Sequence, residues 1–228
     1  DNCKEGKKIM KLSIIVPLYN EQNTITKILS KVSAVKLPSN FRKEIIVVDD
    51  GSEDNSKFKI NNLPSAEQRS KLKGIKKIYH EKNLGKGTAI RSGLKIATGD
   101  LIIIQDADLE YNPNYYLKLL EPIVKNKASV VYGTRLINYP LKLWGRKKTI
   151  LPTHLLANKF LTFLTNLLYE SDLTDMETGY KLFKAEILKK ISLKSDRFDF
   201  EPEVTAKILK LGIPIFEVEI KTRPRTYK

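Results

Sequence analysis

Short apolar runs that end in polar residues alternate with helical patterns along most of this chain. Runs rich in β-branched residues predict strands at 12–17, 44–48, 75–79, 101–105 and 129–133. Apolar residues at helical spacing separate them and recur later, with helices predicted at 25–32, 89–97, 116–123, 155–169 and 203–211 and a last strand at 214–220. This alternation is typical of a mostly parallel sheet flanked by helices. With no repeat or clear linker, we predict a single Rossmann-like α/β domain over residues 12–228, behind an N-terminal tail of residues 1–11.

The run 101–105 leads directly into three carboxylates at alternating positions, Asp106, Asp108 and Glu110. Open α/β sheets bind ligands beyond the carboxyl ends of their strands. In an extended segment, residues two apart point the same way, so the three side chains are expected to converge. Oxygen ligands suit Mg²⁺ and Mn²⁺, and Mg²⁺ is commonly bound by one or two carboxylates together with substrate phosphates. The stretch therefore predicts a metal–diphosphate site.

The charge of the chain points to an anionic partner. Its 41 Lys and Arg residues outnumber 26 Asp and Glu residues, giving a net charge of +15. Nucleic acid, an acidic membrane surface or a phosphorylated substrate would each suit this charge. The hydrophobic content of 41% is that of a globular protein, and no run approaches the roughly 18 apolar residues of a membrane span. A single cysteine, Cys3, excludes an internal disulfide and fits a reducing compartment.

Five ordered motifs connect the predicted loops. They are Ile-Val-Pro-Leu-Tyr-Asn-Glu (15–21), Val-Val-Asp-Asp-Gly-Ser (47–52), Asn-Leu-Gly-Lys-Gly (83–87), Asp-Ala-Asp-Leu-Glu (106–110) and Gly-Thr-Arg (133–135). With these motifs the chain resembles the family 2 glycosyltransferases, which have the GT-A fold. Three further segments are most similar to the dolichyl- or polyprenyl-phosphate mannose and glucose synthases: 174–183, Phe-Glu-Pro-Glu (200–203) and Pro-Arg-Thr-Tyr (224–227).

The resemblance implies a metal-dependent, inverting hexosyltransferase. Its donor would be a nucleotide-diphosphate sugar such as UDP-glucose or GDP-mannose, and its acceptor a polyprenyl phosphate. The cofactor would be Mg²⁺ or Mn²⁺, held by Asp106, Asp108 and Glu110, with Asp108 also counted as catalytic. The resemblance implies nucleotide-sugar binding by Pro17, Tyr19, Glu21, Val48, Asp50, Asp106, Ala107, Lys184, Arg223 and Lys228. It also implies a catalytic core at the cytoplasmic face of a membrane, without a transmembrane segment in this chain.

The chemistry of a phosphate acceptor predicts a separate role for the basic residues. A phosphate monoester has its second pKa near ~6, so it is mostly dianionic at neutral pH and needs no strong base. It must instead be held in line against the repulsion of the diphosphate, and arginine does this by bidentate binding. Arg135 and Arg146 are the candidate catalytic arginines, with Lys147 and Lys148 in support.

Several alternatives remain at this level. A carboxylate base near Asp175 or Glu177 would favour transfer to a sugar or glycan acceptor. Nucleic-acid binding would suit the charge, but the usual motifs are missing, so no nucleic-acid partner is expected. A catalytically silent sugar-nucleotide binder would not need the acidic triplet. Asn83 to Gly87 can be a plain turn or part of a phosphate-binding loop, and helix 155–169 is expected to pack in the core rather than against lipid.

Overall fold

A computed structural model of the protein describes residues 9–62, 70, 73–137 and 152–223. The strands are β1 (Met10–Leu18), β2 (Phe41–Asp49), β3 (Lys76–Tyr79), β4 (Leu101–Ile104), β5 (Val130–Thr134), β6 (Lys181–Lys184) and β7 (Ile215–Glu219). The helices are α1 (Ile25–Ala34), α2 (Ser56–Asn61), α3 (Lys86–Ile96), α4 (Tyr116–Val124), α5 (Pro152–Tyr169), α6 (Ala185–Lys190) and α7 (Phe200–Lys210), with a 3₁₀ turn at Pro113–Tyr115.

The strands form one sheet in the order β3-β2-β1-β4-β6-β5-β7. Strand β1 is parallel to β2 and β4, β2 is parallel to β3, and β5 is parallel to β7. Strand β6 is antiparallel to both of its neighbours, β4 and β5. The predicted α/β architecture with a mostly parallel sheet is confirmed. Strand β6 and helix α6 were not predicted from the sequence.

Hydrophobic side chains cover both faces of this sheet. Alternate residues of a strand point to opposite faces, so Ile14 and Val16 belong to one buried cluster and Ile15 to the other. Helices α1, α2 and α4 pack in the first cluster, and α3, α6 and α7 pack in the second. The sheet is therefore the middle layer of three, which explains why its central strands are apolar without interruption.

Helix α5 buries mainly polar side chains and exposes most of its apolar ones. Its buried side chains are Leu155, Asn158, Thr162 and Thr165. Its exposed apolar side chains are Leu156, Phe160, Leu161, Phe163, Leu167 and Leu168, which are 39% to 71% exposed. The expectation that this apolar surface packs in the core is wrong. In the part of the chain that the structure describes, no helix is both long and apolar enough to cross a membrane.

Candidate active site

The carboxyl ends of β1, β2 and β4 open into one cavity of about 540 Å³. This size is typical of small-molecule sites. Seven residues that the sequence analysis assigned to nucleotide or metal binding line it: Pro17, Tyr19, Glu21, Asp50, Asp106, Ala107 and Asp108. The wall also includes Asn83, Gly85 and Lys86, from the turn whose phosphate-binding role the sequence left open, and four residues without a predicted role: Leu18, Ala89, Arg197 and Phe198.

The acidic segment after β4 forms a turn. Leu109 has a positive φ of 69°, and the Glu110 N–H donates to Asp108 Oδ1 at 3.0 Å. Glu110 does not line the cavity. Among the described residues, no group of three or more His, Cys, Asp or Glu side chains is placed to hold a metal ion. The expectation that three carboxylates converge is wrong, because it assumed an extended backbone.

Asp106 and Asp108 nevertheless fit a divalent cation. Both side chains line the same cavity. Mg²⁺ usually keeps several waters and takes only one or two carboxylates beside substrate phosphates. The oxygen chemistry of this pair therefore suits Mg²⁺ or Mn²⁺ together with a diphosphate, without a third carboxylate.

Lys86 connects the acidic turn to helix α7. Its Nζ lies 2.9 Å from Asp106 Oδ1 and 2.8 Å from Glu201 Oε1. Burial disfavours the charged form of Lys86, but the two carboxylates outweigh burial and raise its pKa well above the usual lysine value. Neither Lys86 nor Glu201 was predicted individually as a site residue, although both stand in motifs that carried the family resemblance.

Asp50 anchors the glycine-rich turn before α3. Its carboxylate accepts hydrogen bonds from the N–H groups of Gly85 (2.7 Å) and Leu84 (3.1 Å), and it lies 2.6 Å from His80 Nδ1. Gly85 has a φ of +100°, and a Cβ atom there would collide with the carbonyl oxygen of Asp196. The same turn also lines the cavity, so the contacts that hold its backbone also shape the site.

Arg135 stands at the carboxyl end of β5, where a buried carboxylate fixes it. Its Nε lies 2.6 Å from Asp175 Oδ2 and its Nη2 lies 2.8 Å from Asp175 Oδ1. Asn158 of α5 also donates to Asp175, at 2.9 Å. Although burial favours the neutral acid, the hydrogen bonds from Arg135 keep the pKa of Asp175 below its usual value. The guanidinium has five N–H donors, and the Arg135 side chain remains 28% exposed.

A single turn connects Arg135 with the acidic segment. The turn begins at Asp175 and reaches Gly179, whose N–H donates to the Tyr111 hydroxyl at 2.9 Å. A Cβ atom on Gly179 would lie 2.6 Å from Asp106 Oδ2, so backbone and carboxylate are in close approach. Glycine at this position lets the turn hold the arginine and the acidic segment at the same edge of the sheet.

The other predicted residues lie elsewhere. Val48 is fully buried in a hydrophobic cluster. Lys184 pairs with Leu101, at the end of β4 away from Asp106, because β6 runs antiparallel to β4. Arg223 is exposed, with its N–H donating to the Glu110 carbonyl at 3.0 Å. Neither Val48, Lys184 nor Arg223 lines the cavity. Arg146, Lys147, Lys148 and Lys228 fall outside the described residues.

Comparison with protein families and curated proteins identifies relatives along the chain. The model of the family described as "Glycosyl transferase family 2" matches residues 13–192. Dolichyl-phosphate beta-glucosyltransferase of Dictyostelium discoideum is 30% identical over 219 residues, which cover 92% of this chain and 65% of that protein. UDP-N-acetylglucosamine–dolichyl-phosphate N-acetylglucosaminyltransferase of Methanococcus voltae is 32% identical over 221 residues, covering 92% of this chain and 84% of that protein.

Solved structures share the architecture. Glucosyl-3-phosphoglycerate synthase from Mycobacterium tuberculosis in complex with UDP superposes with a TM-score of 0.70 at 20% identity, covering 96% of this chain and 73% of that chain. Its complex with Mn²⁺, UDP and phosphoglyceric acid gives a TM-score of 0.71 at 18% identity, covering 96% and 72%. The predicted fold is confirmed.

Proposed function

Because the chain belongs to the family 2 glycosyltransferases, we propose that it moves a hexose from a nucleotide-diphosphate sugar to a polyprenyl phosphate. The curated relatives named above act on dolichyl phosphate, as their names state. The observation that carries the proposal is the turn 175–179, which holds Arg135 at one end and approaches Asp106 at the other. A site for an acceptor phosphate thereby lies beside a site for a metal and diphosphate.

In the proposed reaction a phosphate oxygen of the acceptor attacks the anomeric carbon of the sugar. A carbon–oxygen bond to the acceptor forms as the bond to the nucleoside diphosphate breaks, with inversion at that carbon. Asp106 and Asp108 would hold the divalent cation, whose charge stabilises the departing diphosphate. Arg135 holds the attacking phosphate, which carries no proton that must be removed at neutral pH. Since Asp175 is already paired with Arg135, it supports positioning of the arginine rather than general-base catalysis.

The donor side of the proposal is a nucleotide sugar such as UDP-glucose or GDP-mannose, with Mg²⁺ or Mn²⁺. Pro17 near the end of β1 and acidic and tyrosine side chains from the loops after β1 and β2 line the cavity beside Asp106. Arg197 and Phe198 form part of the same wall, and Phe198 is 77% exposed, so a planar group bound there has an aromatic neighbour. Thermal-shift screening of UDP- and GDP-sugars with Mn²⁺ would identify the donor, because a ligand that binds only the native state raises its melting point.

Contact with a lipid surface forms the third part of the proposal. The exposed residues Leu156, Phe160, Phe163 and Leu167 recur at helical spacing along α5 and are each more than half exposed. On the opposite side of α5, Asn158 donates to Asp175 and Thr162 accepts the Met176 N–H. The apolar face is thus attached to the turn that fixes Arg135. An amphipathic helix with such a face lies in a membrane interface, and the net charge of +15 favours anionic lipid.

Replacement of Arg135 tests the acceptor assignment. We expect Arg135→Ala to lower transfer to a polyprenyl phosphate by about 100-fold, the effect of losing hydrogen bonds to a charged group. Binding of the nucleoside diphosphate, followed by calorimetry, should stay within about twofold, the scatter expected for a site that is not touched. Arg135→Lys keeps a charge beside buried Asp175 but loses the planar fork, so it should fold normally and still transfer poorly.

Two outcomes would contradict this proposal. Unchanged turnover in both Arg135 variants would remove the arginine from the acceptor site. Transfer by the wild-type protein to a sugar hydroxyl but not to a lipid phosphate would replace the proposed acceptor class.

A further inference from the structure

Glu177 has a buried carboxylate oxygen without a hydrogen-bond partner. Its Oε1 has no appreciable solvent contact. Among residues 9–62, 70, 73–137 and 152–223, it is the one buried side-chain nitrogen or oxygen atom without a hydrogen-bond partner. Buried polar atoms in folded proteins nearly always have a partner, and leaving one unpaired costs free energy. The buried, unpaired Oε1 of Glu177 therefore needs a physical explanation.

The position of Glu177 in the chain supplies one. It lies in the middle of the turn 175–179, two residues after the carboxylate that fixes Arg135 and two residues before the glycine that approaches Asp106. Glu177 as a whole is only partly buried and does not line the cavity, so its side chain must turn to reach a sugar that the proposed reaction places between these two groups. The anomeric carbon of that sugar is bonded to the diphosphate on one side and is attacked by the acceptor phosphate from the other.

Charged neighbours of Glu177 are engaged with other partners. Lys181, which is only 1% exposed, donates to the Met176 carbonyl at 2.8 Å and lies 3.8 Å from the centre of the Tyr132 ring. Glu201 is paired with Lys86, and Asp175 with Arg135. Burial, reinforced by the negative charges of Glu201 and Asp175, raises the pKa of Glu177 against the opposing effect of Lys181. The Glu177 carboxyl group therefore sits among groups that do not satisfy its Oε1.

On the basis of the proposed function, we propose that Glu177 Oε1 accepts a hydrogen bond from a hydroxyl group of the transferred hexose. Glu177 is then a sugar-binding residue that helps to set donor specificity. A site built to hydrogen-bond a hydroxyl discriminates strongly against an analogue that lacks it, because the buried acceptor is again left unpaired. The role is binding and orientation, since the attacking phosphate needs no base.

The test compares two ligands in three proteins. Calorimetry measures the affinity of the free nucleoside diphosphate and of the nucleotide hexose, each with Mn²⁺, for the wild type, Glu177→Ala and Glu177→Gln. We expect Glu177→Ala to weaken binding of the nucleotide hexose by about 10- to 100-fold, as for a lost hydrogen bond to a charged group. Its affinity for the free diphosphate should be unchanged. Glu177→Gln keeps an acceptor oxygen and should recover most of the loss, while exposed Glu186→Ala on α6 serves as the matched control.

A deoxy donor identifies the hydroxyl. A series of nucleotide hexoses, each lacking a different hydroxyl group, is tested against the wild type. The affinity of one of them should fall to the affinity that the complete donor has for Glu177→Ala. The same deoxy donor should lose nothing further in Glu177→Ala. Such non-additivity is the mark of a direct contact.

Three results would overturn the inference. The first is an equal loss of affinity for both ligands in Glu177→Ala, which indicates a structural role for the side chain. The second is an unchanged affinity for the nucleotide hexose. The third is a Glu177→Gln variant that turns over as slowly as Glu177→Ala while binding the donor normally, as expected for a general base. Since the binding measurements need no acceptor, failure of the wild type to use polyprenyl phosphate would contradict the proposed function and leave the sugar contact standing.

Discussion

Individual residues in the site depend on partners that are far away in the sequence. Motifs at strand ends predicted the positions of Arg135 and of three aspartates that line the cavity, Asp50, Asp106 and Asp108. Lys86 and Glu201 are 115 positions apart, and no spacing rule connects two residues at that separation. The family resemblance implied a binding role for Lys184, which directly follows the segment 174–183, but a sequence motif does not show that its strand is antiparallel. Strand direction decides which end of a β segment reaches the site.

Lys181, three residues earlier on β6, provides a pH-dependent test. Burial lowers its pKa to about 7, although Glu201, Asp175 and Glu177 act in the opposite direction. In the unfolded chain a lysine has a pKa of about 10.4. Between these values the unfolded state binds more protons than the folded state, so this residue makes stability rise with pH.

Comparison with Lys181→Met isolates that contribution. From pH 7 to pH 9 the free energy of unfolding of the wild type should rise relative to the variant by about 2 kcal/mol. Urea denaturation at each pH measures it. A difference that stays constant across this range would mean that Lys181 keeps its proton in the folded protein.

At the level of elements, the pattern of apolar residues predicted the helix now called α5 but could not show which way it faces. A helical stripe of apolar side chains packs equally well against a core or against lipid. The decisive residues are Asn158 and Thr162, because their hydrogen bonds to the turn 175–179 fix the polar side inward. Strand β6 escaped prediction for another reason: its only apolar residues, Leu182 and Phe183, stand between two lysines, so neither an apolar run nor an alternation marks it as a strand.

The glycine-rich turn offers a prediction for one element. Gly85→Ala places a side chain at a φ of +100° and against the Asp196 carbonyl, whereas Gly74→Ala meets a similar φ of +91° with no atom within 4 Å. The extra collision should make Gly85→Ala less stable than Gly74→Ala by about 2 kcal/mol, within the range for strained sites. Thermal or denaturant unfolding gives this difference.

Because Asp50 holds the same turn in the cavity wall, Gly85→Ala should also weaken nucleotide binding while Gly74→Ala leaves it intact. Equal stability of the two variants would show that the backbone around Asp196 gives way without cost.

For the whole molecule, alternating strands and helices predicted a mostly parallel α/β sheet with the site at its carboxyl edge, and the GT-A fold was implied by the family resemblance. The sequence patterns did not predict the long-range contacts around that edge. The turn 175–179 joins β5, α5 and the acidic segment, although these elements come from separate parts of the chain. Tertiary packing of this kind is set by the assembled sheet rather than by any local pattern.

Lipid binding is the prediction at this scale. The wild type should float with vesicles of phosphatidylcholine and phosphatidylserine, and Phe160→Ser with Phe163→Ser should lower the bound fraction by about tenfold, since each phenylalanine buries an appreciable apolar area. Phe58→Ser on α2, where the phenylalanine is 64% exposed, is the matched control and should bind like the wild type. Equal flotation of all three proteins would exclude α5 as the membrane contact.

The outward apolar face of α5 also bears on how the protein behaves in water. Copies that carry a charge of +15 repel one another at low ionic strength. Added salt screens this repulsion over a Debye length of about 8 Å at physiological strength, but it does not weaken attraction between apolar faces. The colloidal stability of the protein should therefore decline as salt rises, and detergent rather than salt should keep concentrated solutions monodisperse.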